Sequence, residues 1–158
     1  SAASDVYKRQ VSFCDKNIGL KVPTSEEFNE DDLKILNNYE NNFEDLNNNI
    51  DNQNINFYLN FIVDQLFKAN KYFNDQEPWK RKDDKKRLNT IVYVSLEVIR
   101  KISILLYPII PESSLKALNI FNIKETDIDF STILNNNYLS PGKNINKIEI
   151  LFNKIKND

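Results

Sequence analysis

The stretch DDKKRLNTIVYVSLEVIRKISILLY, residues 83–107, decides the fold. It opens with Asp83 and Asp84, and aspartate is favoured at the N-terminal cap of a helix. Its apolar residues recur at helical spacing over a broad face: Leu88, Ile91, Val92, Leu96, Ile99, Ile102, Leu105 and Leu106. The β-branched residues in this stretch would also suit a strand, but strands rarely exceed about ten residues. The stretch therefore predicts the central, most buried helix of a bundle, which ends near Tyr107.

Weaker helical patterns flank this central segment on both sides. They cover residues 13–19, 31–50, 52–73, 111–118, 125–134 and 145–155. Pro111 is well placed at the first position of a helix, and Pro141 with Gly142 predicts a turn before the last segment. The connections are short and there is no internal repeat. The fold class that follows is all-α, a bundle of about five long helices in an up-and-down arrangement.

Composition excludes most kinds of catalytic site. The chain has 158 residues, enough for one domain, with no His, two Gly and a single cysteine, Cys14. A Ser-His-Asp triad, a His-ligated zinc site, an internal disulfide and a glycine-rich phosphate loop are therefore excluded within this chain. The 21 Lys and Arg residues against 23 Asp and Glu argue against binding of nucleic acid by bulk positive charge. These numbers do not exclude a local basic patch.

Neither a membrane span nor a secretory signal is expected. The longest apolar stretch is interrupted by Glu97, Arg100 and Lys101, and the N-terminus lacks a basic region followed by an apolar run. A single cysteine fits a reducing compartment, and burial as a packed thiol is its expected state. We therefore expect a cytoplasmic location and no membrane partner.

The first ten residues differ in composition from the rest of the chain. They contain no Asn and no Ile, although both residues are abundant after Val11. We interpret residues 1–10 as a non-native tag or translated adapter segment and residues 11–158 as the helical domain. The alternative is that residues 1–10 form a native first turn of a helix.

The segment ANKYFNDQEPW, residues 69–79, is the most specific motif. It ends in the single tryptophan of the chain, Trp79, directly after Pro78. Cations follow at once: Lys80, Arg81, Lys82, Lys85, Lys86 and Arg87. An aromatic ring beside clustered cations is the arrangement that stacks an unpaired base and holds its phosphate. Two alternatives stay open, a tryptophan that plugs the core and a charge run that is merely solvated.

Together with two further segments, this motif resembles bacterial methionyl-tRNA synthetases. The further segments are RLNTIVYVSLEVIR at residues 87–100 and ILLYPIIPE at residues 104–112. The resemblance is to the C-terminal, helical anticodon-binding domain of these class I aminoacyl-tRNA synthetases. It extends from about Val11 to Ile155, with support from Ser12-Phe13, Lys16-Asn17, Gly19, Val22-Pro23, Pro141-Gly142 and Leu151-Phe152.

The resemblance implies a tRNA-binding role for particular residues. In that family the tryptophan of the Pro-Trp pair stacks on the first anticodon base, a cytosine, and this residue corresponds to Trp79. An arginine four residues before the phenylalanine that matches Phe13 reads base edges, which identifies Arg9. The family's asparagine one turn earlier is here Asp5, and a carboxylate offers base edges only acceptors. Weaker candidates around the same anticodon site are Lys80, Arg81, Asn70, Lys71 and Arg87.

The resemblance also implies a catalytic domain that this chain does not contain. In the family, methionine and ATP, with magnesium, are bound by an N-terminal Rossmann domain that carries His-Ile-Gly-His and Lys-Met-Ser-Lys-Ser type signatures. Because the chain has no His and no Met, neither signature is present. We expect a non-catalytic fragment of a methionine–tRNA ligase, without catalytic residues, metal or cofactor of its own. Its expected partners are the tRNA(Met) anticodon loop and the catalytic domain of the parent enzyme.

Two other functions remain possible from the sequence. One is a stand-alone helical interaction domain that does not bind RNA. The other is the anticodon domain of a different class I synthetase for an apolar amino acid, which the motif at residues 69–79 disfavours.

Overall fold

The computed structural model describes residues 2–147, which form seven α-helices and three short 3₁₀ helices. The α-helices are α1 (Ala2–Asn17), α2 (Glu30–Leu36), α3 (Asn38–Asn41), α4 (Phe43–Asp51), α5 (Ile55–Gln76), α6 (Lys85–Leu106) and α7 (Pro111–Asn119). The 3₁₀ helices are Pro78–Lys80, Glu125–Asp127 and Phe130–Leu134. The described residues contain no strand longer than an isolated bridge between Lys21 and Asn144. The predicted all-α class is confirmed.

Helix α6 is the central element of the bundle. Every residue from Thr90 to Leu106 is buried, and the helix packs against α1, α2, α5, α7 and the 3₁₀ helix Phe130–Leu134. Its N-terminus is capped as the sequence predicts, because the Asp84 carboxylate accepts a hydrogen bond from the Arg87 amide at 3.1 Å. Such a cap stabilises a helix by about 1 kcal/mol.

The prediction of one continuous helix over residues 31–50 is wrong. The segment is divided into α2, α3 and α4 at Asn37 and Asn42. At the first break the Lys101 ammonium donates to the Leu36 carbonyl at 3.2 Å, and the Asn136 amide donates to the Asn37 side chain at 2.9 Å. Lys101 thus pairs with a backbone carbonyl that would accept a hydrogen bond within a continuous helix, and Asn136 holds the side chain of the residue at the break.

Two further predicted helices differ from the structure. Residues 125–134 form two 3₁₀ helices in place of one short α-helix, so the described part of the chain has more and shorter elements than the predicted five. Of the predicted segment 145–155, only residues 145–147 lie within the described part of the chain, and Leu151 and Phe152 lie outside it.

The first ten residues pack against the rest of the bundle as part of α1. Tyr7 is fully buried, and its hydroxyl is hydrogen-bonded to the Ser103 hydroxyl of α6 at 3.0 Å. The amide of Gln10, also buried, donates to the Ala69 carbonyl of α5 at 3.4 Å. Helix α1 therefore contacts both long helices through these residues. The interpretation of residues 1–10 as a non-native segment stays a prediction.

Three charged residues of α6 are buried in the core. Glu97 and Arg100 form an ion pair at 2.8 Å, and both side chains are inaccessible to solvent. Arg100 also donates to the backbone carbonyls of Thr132 and Asn135 at 3.1 and 2.8 Å, while the Leu139 amide donates to Glu97 at 2.7 Å. These contacts fasten residues 132–139, which contain little regular structure, onto α6.

Lys101 should make the stability of the fold depend on pH. Burial, with a smaller effect of the neighbouring Arg100 charge, lowers the pKa of Lys101 to about 7. An unfolded lysine keeps its proton to about pH 10.4, so between these values the unfolded state binds more protons and stability rises with pH. Relative to Lys101→Met, the native chain should gain about 2 kcal/mol from pH 7 to pH 9, since one proton contributes at most about 1.4 kcal/mol per pH unit and the folded group is half-protonated at pH 7.

Urea denaturation of both proteins at three pH values would measure this effect. The comparison with Lys101→Met is needed because burial raises the pKa of Cys14 to about 12, which lowers stability above about pH 8.5 in both proteins. A constant difference in stability between the two proteins over this pH range would contradict the prediction.

Candidate nucleic-acid interface

Trp79 lies on the 3₁₀ helix Pro78–Lys80, immediately after α5. Glu77 ends α5 in the left-handed conformation, with φ 48°, and Pro78 then starts the next turn. The Trp79 ring centroid is 6.1 Å from that of the buried Phe73, and the two planes meet at 56°. The side chain is nevertheless 40% exposed. Trp79 is therefore anchored at one edge and open at the surface, unlike a tryptophan that plugs the core.

Arg9 of α1 completes a cluster around this ring. Its guanidinium donates to the side-chain oxygens of Asn70 and Asn74 on α5, at 2.9 and 2.6 Å. Its central carbon lies 5.1 Å from the Phe73 ring centroid and 5.6 Å from the Trp79 centroid. We call these five residues, Arg9, Asn70, Phe73, Asn74 and Trp79, the aromatic–arginine platform.

The platform keeps its positive charge. Two neutral amides hold Arg9, and no carboxylate of the described residues lies within 4.0 Å of its guanidinium. Three of the platform residues, Arg9, Asn70 and Trp79, were predicted from the sequence, and the structure brings them together. Asn74 was not predicted, although its position four residues after Asn70 places both amides on one face of α5.

Lys80 and Arg81 lie directly beside the platform. The Lys80 ammonium pairs with Glu77 at 2.8 Å on the surface, and the Arg81 guanidinium donates to the Gln76 carbonyl at 2.7 Å. An exposed ion pair contributes at most about 1 kcal/mol. Lys80 can therefore exchange Glu77 for a phosphate, whereas Arg81 also holds the turn that carries Trp79.

Lys71 and Asp5 lie on exposed faces of α5 and α1. Lys71 pairs with Asp75 at 2.5 Å, four residues further along the helix. Asp5 lies one helical turn before Arg9, and no ion pair to it is formed among the described residues. Both residues are accessible, and among the described residues neither forms a hydrogen bond or ion pair with a residue of the platform.

Arg87 has a different environment from the one its sequence position suggests. Its guanidinium forms a bidentate ion pair with the buried carboxylate of Asp32 on α2, at 2.7 and 2.9 Å. It also donates to the side-chain oxygen of Gln76 at 2.8 Å. The Tyr72 hydroxyl donates to the same carboxylate at 2.5 Å. The structure thus places Arg87 in a polar link between α2, α5 and α6, in which it is hydrogen-bonded to Asp32 and Gln76 and to no residue of the platform. Its role in RNA binding stays a prediction.

The pKa of Asp32 shows that this link favours the charged carboxylate. Burial alone would raise that pKa, but hydrogen bonds from Arg87, Tyr72 and the Asn29 amide lower it below its ordinary value. Because Gln76 is the last residue of α5, the ion pair helps to fix the point from which Trp79 is presented. Sequence reasoning missed Asp32, which reads in the sequence as a helix-capping residue.

A metal site and a membrane-spanning helix are both absent from the described residues. They contain no group of three or more His, Cys, Asp or Glu residues placed to hold a metal ion. No helix in the described part of the chain is long and apolar enough to cross a membrane. Cys14 is buried, as expected for a packed thiol.

Comparisons with known proteins concern the family and the fold of the chain. A family model for the anticodon binding domain of methionyl tRNA ligase matches residues 22–158. Methionine–tRNA ligase of Brucella suis is 35% identical over 131 residues, which cover 82% of this chain and 25% of the relative. That of Pyrococcus horikoshii is 30% identical over 152 residues, 95% of this chain and 20% of the relative. The chain therefore spans about a quarter or less of the curated relatives named here.

Solved structures give the same result. Methionyl-tRNA synthetase of Mycobacterium tuberculosis, in complex with methionyl-adenylate, superposes with a TM-score of 0.88 at 28% identity. The superposition covers 98% of this chain and 31% of that protein.

Proposed function

Because the chain belongs to the family of anticodon-binding domains of methionyl-tRNA ligases, we propose that its platform reads the anticodon of tRNA(Met) by stacking the first base on Trp79. The observation that carries this proposal is the exposed Trp79 ring beside the unneutralised guanidinium of Arg9. Stacking of an unpaired base on an aromatic side chain contributes about 1–3 kcal/mol per base. The first anticodon base is a cytosine in this proposal.

Arg9 supplies the polar part of the recognition. A guanidinium has five N–H donors, and hydrogen bonds to Asn70 and Asn74 use only part of this capacity. The remaining donors can reach acceptor atoms on a base edge or a phosphate. Asn70 and Asn74 thus act by positioning Arg9. The Asp5 carboxylate is suited to accept a hydrogen bond from a base amino group, whereas it would repel a phosphate.

Cations around the platform hold the RNA backbone. Lys80 and Arg81 follow Trp79 in the chain and are the nearest candidates to neutralise phosphates beside the stacked base. Lys71 can contribute after it releases Asp75. Because the cations are few, recognition depends on the stacked base more than on bulk charge.

The parent enzyme, by the same proposal, joins methionine to tRNA(Met) in the cytoplasm. Methionine, ATP and magnesium would be bound by a separate catalytic domain that is the second partner of this chain. The residues of this chain do not fit those ligands, because it has no His and no Met for the two ATP-site signatures. Its own contribution is to bind the anticodon.

An RNA-binding measurement tests this function. Fluorescence anisotropy would compare a stem-loop that carries CAU in its loop with a blunt duplex of the same length. We expect at least about tenfold tighter binding of the stem-loop, since only it offers unpaired bases to Trp79. The slope of log K against log salt concentration should also be shallower than about −4. Each phosphate contact on a single strand contributes roughly −0.7 to this slope, and the platform offers only a few such contacts.

The outcomes distinguish the proposal from its alternative. No binding of either RNA would support a stand-alone interaction domain instead. Equal binding of both RNAs with a steep salt slope would show attraction by charge alone and would contradict the role of the platform.

A further inference from the structure

A second feature of the surface is a basic cleft between the end of α1 and the start of α6. Its volume is about 450 Å³, within the range of roughly 300–1,000 Å³ that small-ligand sites occupy. Three lysines line it, Lys16 from α1, Lys82 from the loop before α6, and Lys85 from the first turn of α6. Two side-chain amides, those of Asn17 and Asn89, also line the cleft, and the Asn17 amide donates to the Phe13 carbonyl at 2.9 Å.

The charge of this basic cleft is not neutralised from within. Among the described residues, no carboxylate lies within 4.0 Å of any of the three ammonium groups, and no carboxylate lines the cleft. Asp15, Asp83 and Asp84 are close in sequence, but the Asp84 carboxylate caps α6 through the Arg87 amide. Three converging unpaired cations repel one another, so an anionic ligand would be bound favourably there.

The basic cleft and the platform are built on the same two parts of the chain, helix α1 and the segment between α5 and α6. Lys16 lies seven residues after Arg9 on α1, which is two helical turns and about 10 Å along the same face. Lys82 lies three residues after Trp79, beyond the turn that Arg81 fastens to Gln76. An RNA strand with one base on Trp79 would therefore pass over the basic cleft within a few nucleotides.

We propose that the basic cleft of Lys16, Lys82 and Lys85 binds backbone phosphates of the RNA strand that carries the base stacked on Trp79. This inference rests on the proposed anticodon-binding function and adds a second contact region to it. Lysines bind phosphate as point charges without reading the base. The basic cleft should therefore increase affinity equally for every anticodon, while the platform determines the choice of base.

The double variant Lys82→Gln/Lys85→Gln tests the inference in the 158-residue chain. Each lost phosphate contact should make the slope of log K against log salt concentration shallower by about 0.7. If the two proteins bind equally at 1 M salt, each lost contact therefore weakens binding by the variant about fivefold at 0.1 M salt. Affinities for CAU stem-loops and for loops with an altered first base should fall by the same factor. Lys124→Gln is the control, because it also removes one positive charge but at an exposed position after α7, outside the basic cleft. It should leave the salt slope unchanged.

The result that overturns the inference is a double variant with the salt slope and affinity of the native chain. Such a result, with native discrimination retained, would leave the anticodon function intact and would show that the basic cleft does not bind the RNA backbone. Loss of discrimination without a change of salt slope would also contradict it. If the native chain binds no stem-loop at all, the proposed function itself fails, which is a separate outcome. Circular dichroism melting would confirm that the variants fold.

Discussion

Replacing Arg100 with methionine is expected to lower the free energy of unfolding by about 3–5 kcal/mol. The guanidinium is fully buried and forms its ion pair with an equally buried Glu97. Methionine would leave that carboxylate without a counter-charge in the core, which costs far more than the attraction that is lost. The carbonyls of Thr132 and Asn135 would also lose their donor.

Urea denaturation monitored by circular dichroism would measure this loss. Lys116→Met is the matched control, because Lys116 pairs with Glu112 at 3.9 Å on the surface and should change stability by less than about 1 kcal/mol. The double variant Glu97→Leu/Arg100→Met should recover part of the loss, since it leaves no unpaired carboxylate in the core. If Arg100→Met costs no more than the control, the buried pair does not hold the fold as described.

These buried charges show where prediction from sequence succeeds and where it stops. The pattern of apolar residues predicts α6 and its cap at Asp84 correctly, because both depend on local sequence. The burial of Arg100 depends on carbonyls of Thr132 and Asn135, more than thirty residues away, and no periodicity records such a contact. From the sequence, Glu97, Arg100 and Lys101 served only to exclude a membrane span.

The division of residues 31–50 into three helices has the same origin. The apolar spacing over this segment is compatible with one helix, and the interruption at Asn37 depends on Lys101 and Asn136. Periodicity reports which face is apolar but not where a distant side chain takes a backbone carbonyl.

The platform was predictable in part. Family resemblance identifies Trp79 through the Pro-Trp pair and Arg9 through its position four residues before Phe13. In the structure the central guanidinium carbon of Arg9 lies 5.6 Å from the Trp79 ring centroid. Asn74 was missed because an asparagine in a chain so rich in asparagine carries little information by itself. Arg87 could not be separated from its basic neighbours, since its partner Asp32 lies 55 residues earlier.

Replacing Trp79 with alanine should weaken binding of a CAU stem-loop by about tenfold to hundredfold. This corresponds to the loss of about 1–3 kcal/mol of stacking on one base. Arg9 should stay in place in the variant, because Asn70 and Asn74 still accept its hydrogen bonds. Binding should therefore be reduced and not abolished. Trp79→Phe, which keeps an aromatic face, should retain most of the affinity.

Phe67 provides the matched control for this substitution. It lies on α5 and is 68% exposed, more than Trp79, but it belongs to no contact of the platform. Phe67→Ala removes an exposed aromatic ring from the same helix that leads to Trp79. It should change affinity for the stem-loop less than about twofold if stacking is specific to Trp79.

The ratio of dissociation constants for two stem-loops, one with CAU and one with uridine in place of the first cytidine, tests the anticodon account most directly. It should be measured at one fixed salt concentration for the native chain and for Trp79→Ala. We predict a ratio of about 10 to 100 for the native chain, because stacking on Trp79 holds the base where polar groups meet its edge, and cytosine presents an amino donor where uracil presents a carbonyl. A good contact to a base edge discriminates by about 1–3 kcal/mol. For Trp79→Ala we predict a ratio near one. An unchanged ratio in the variant would contradict the assignment of the first anticodon base to Trp79.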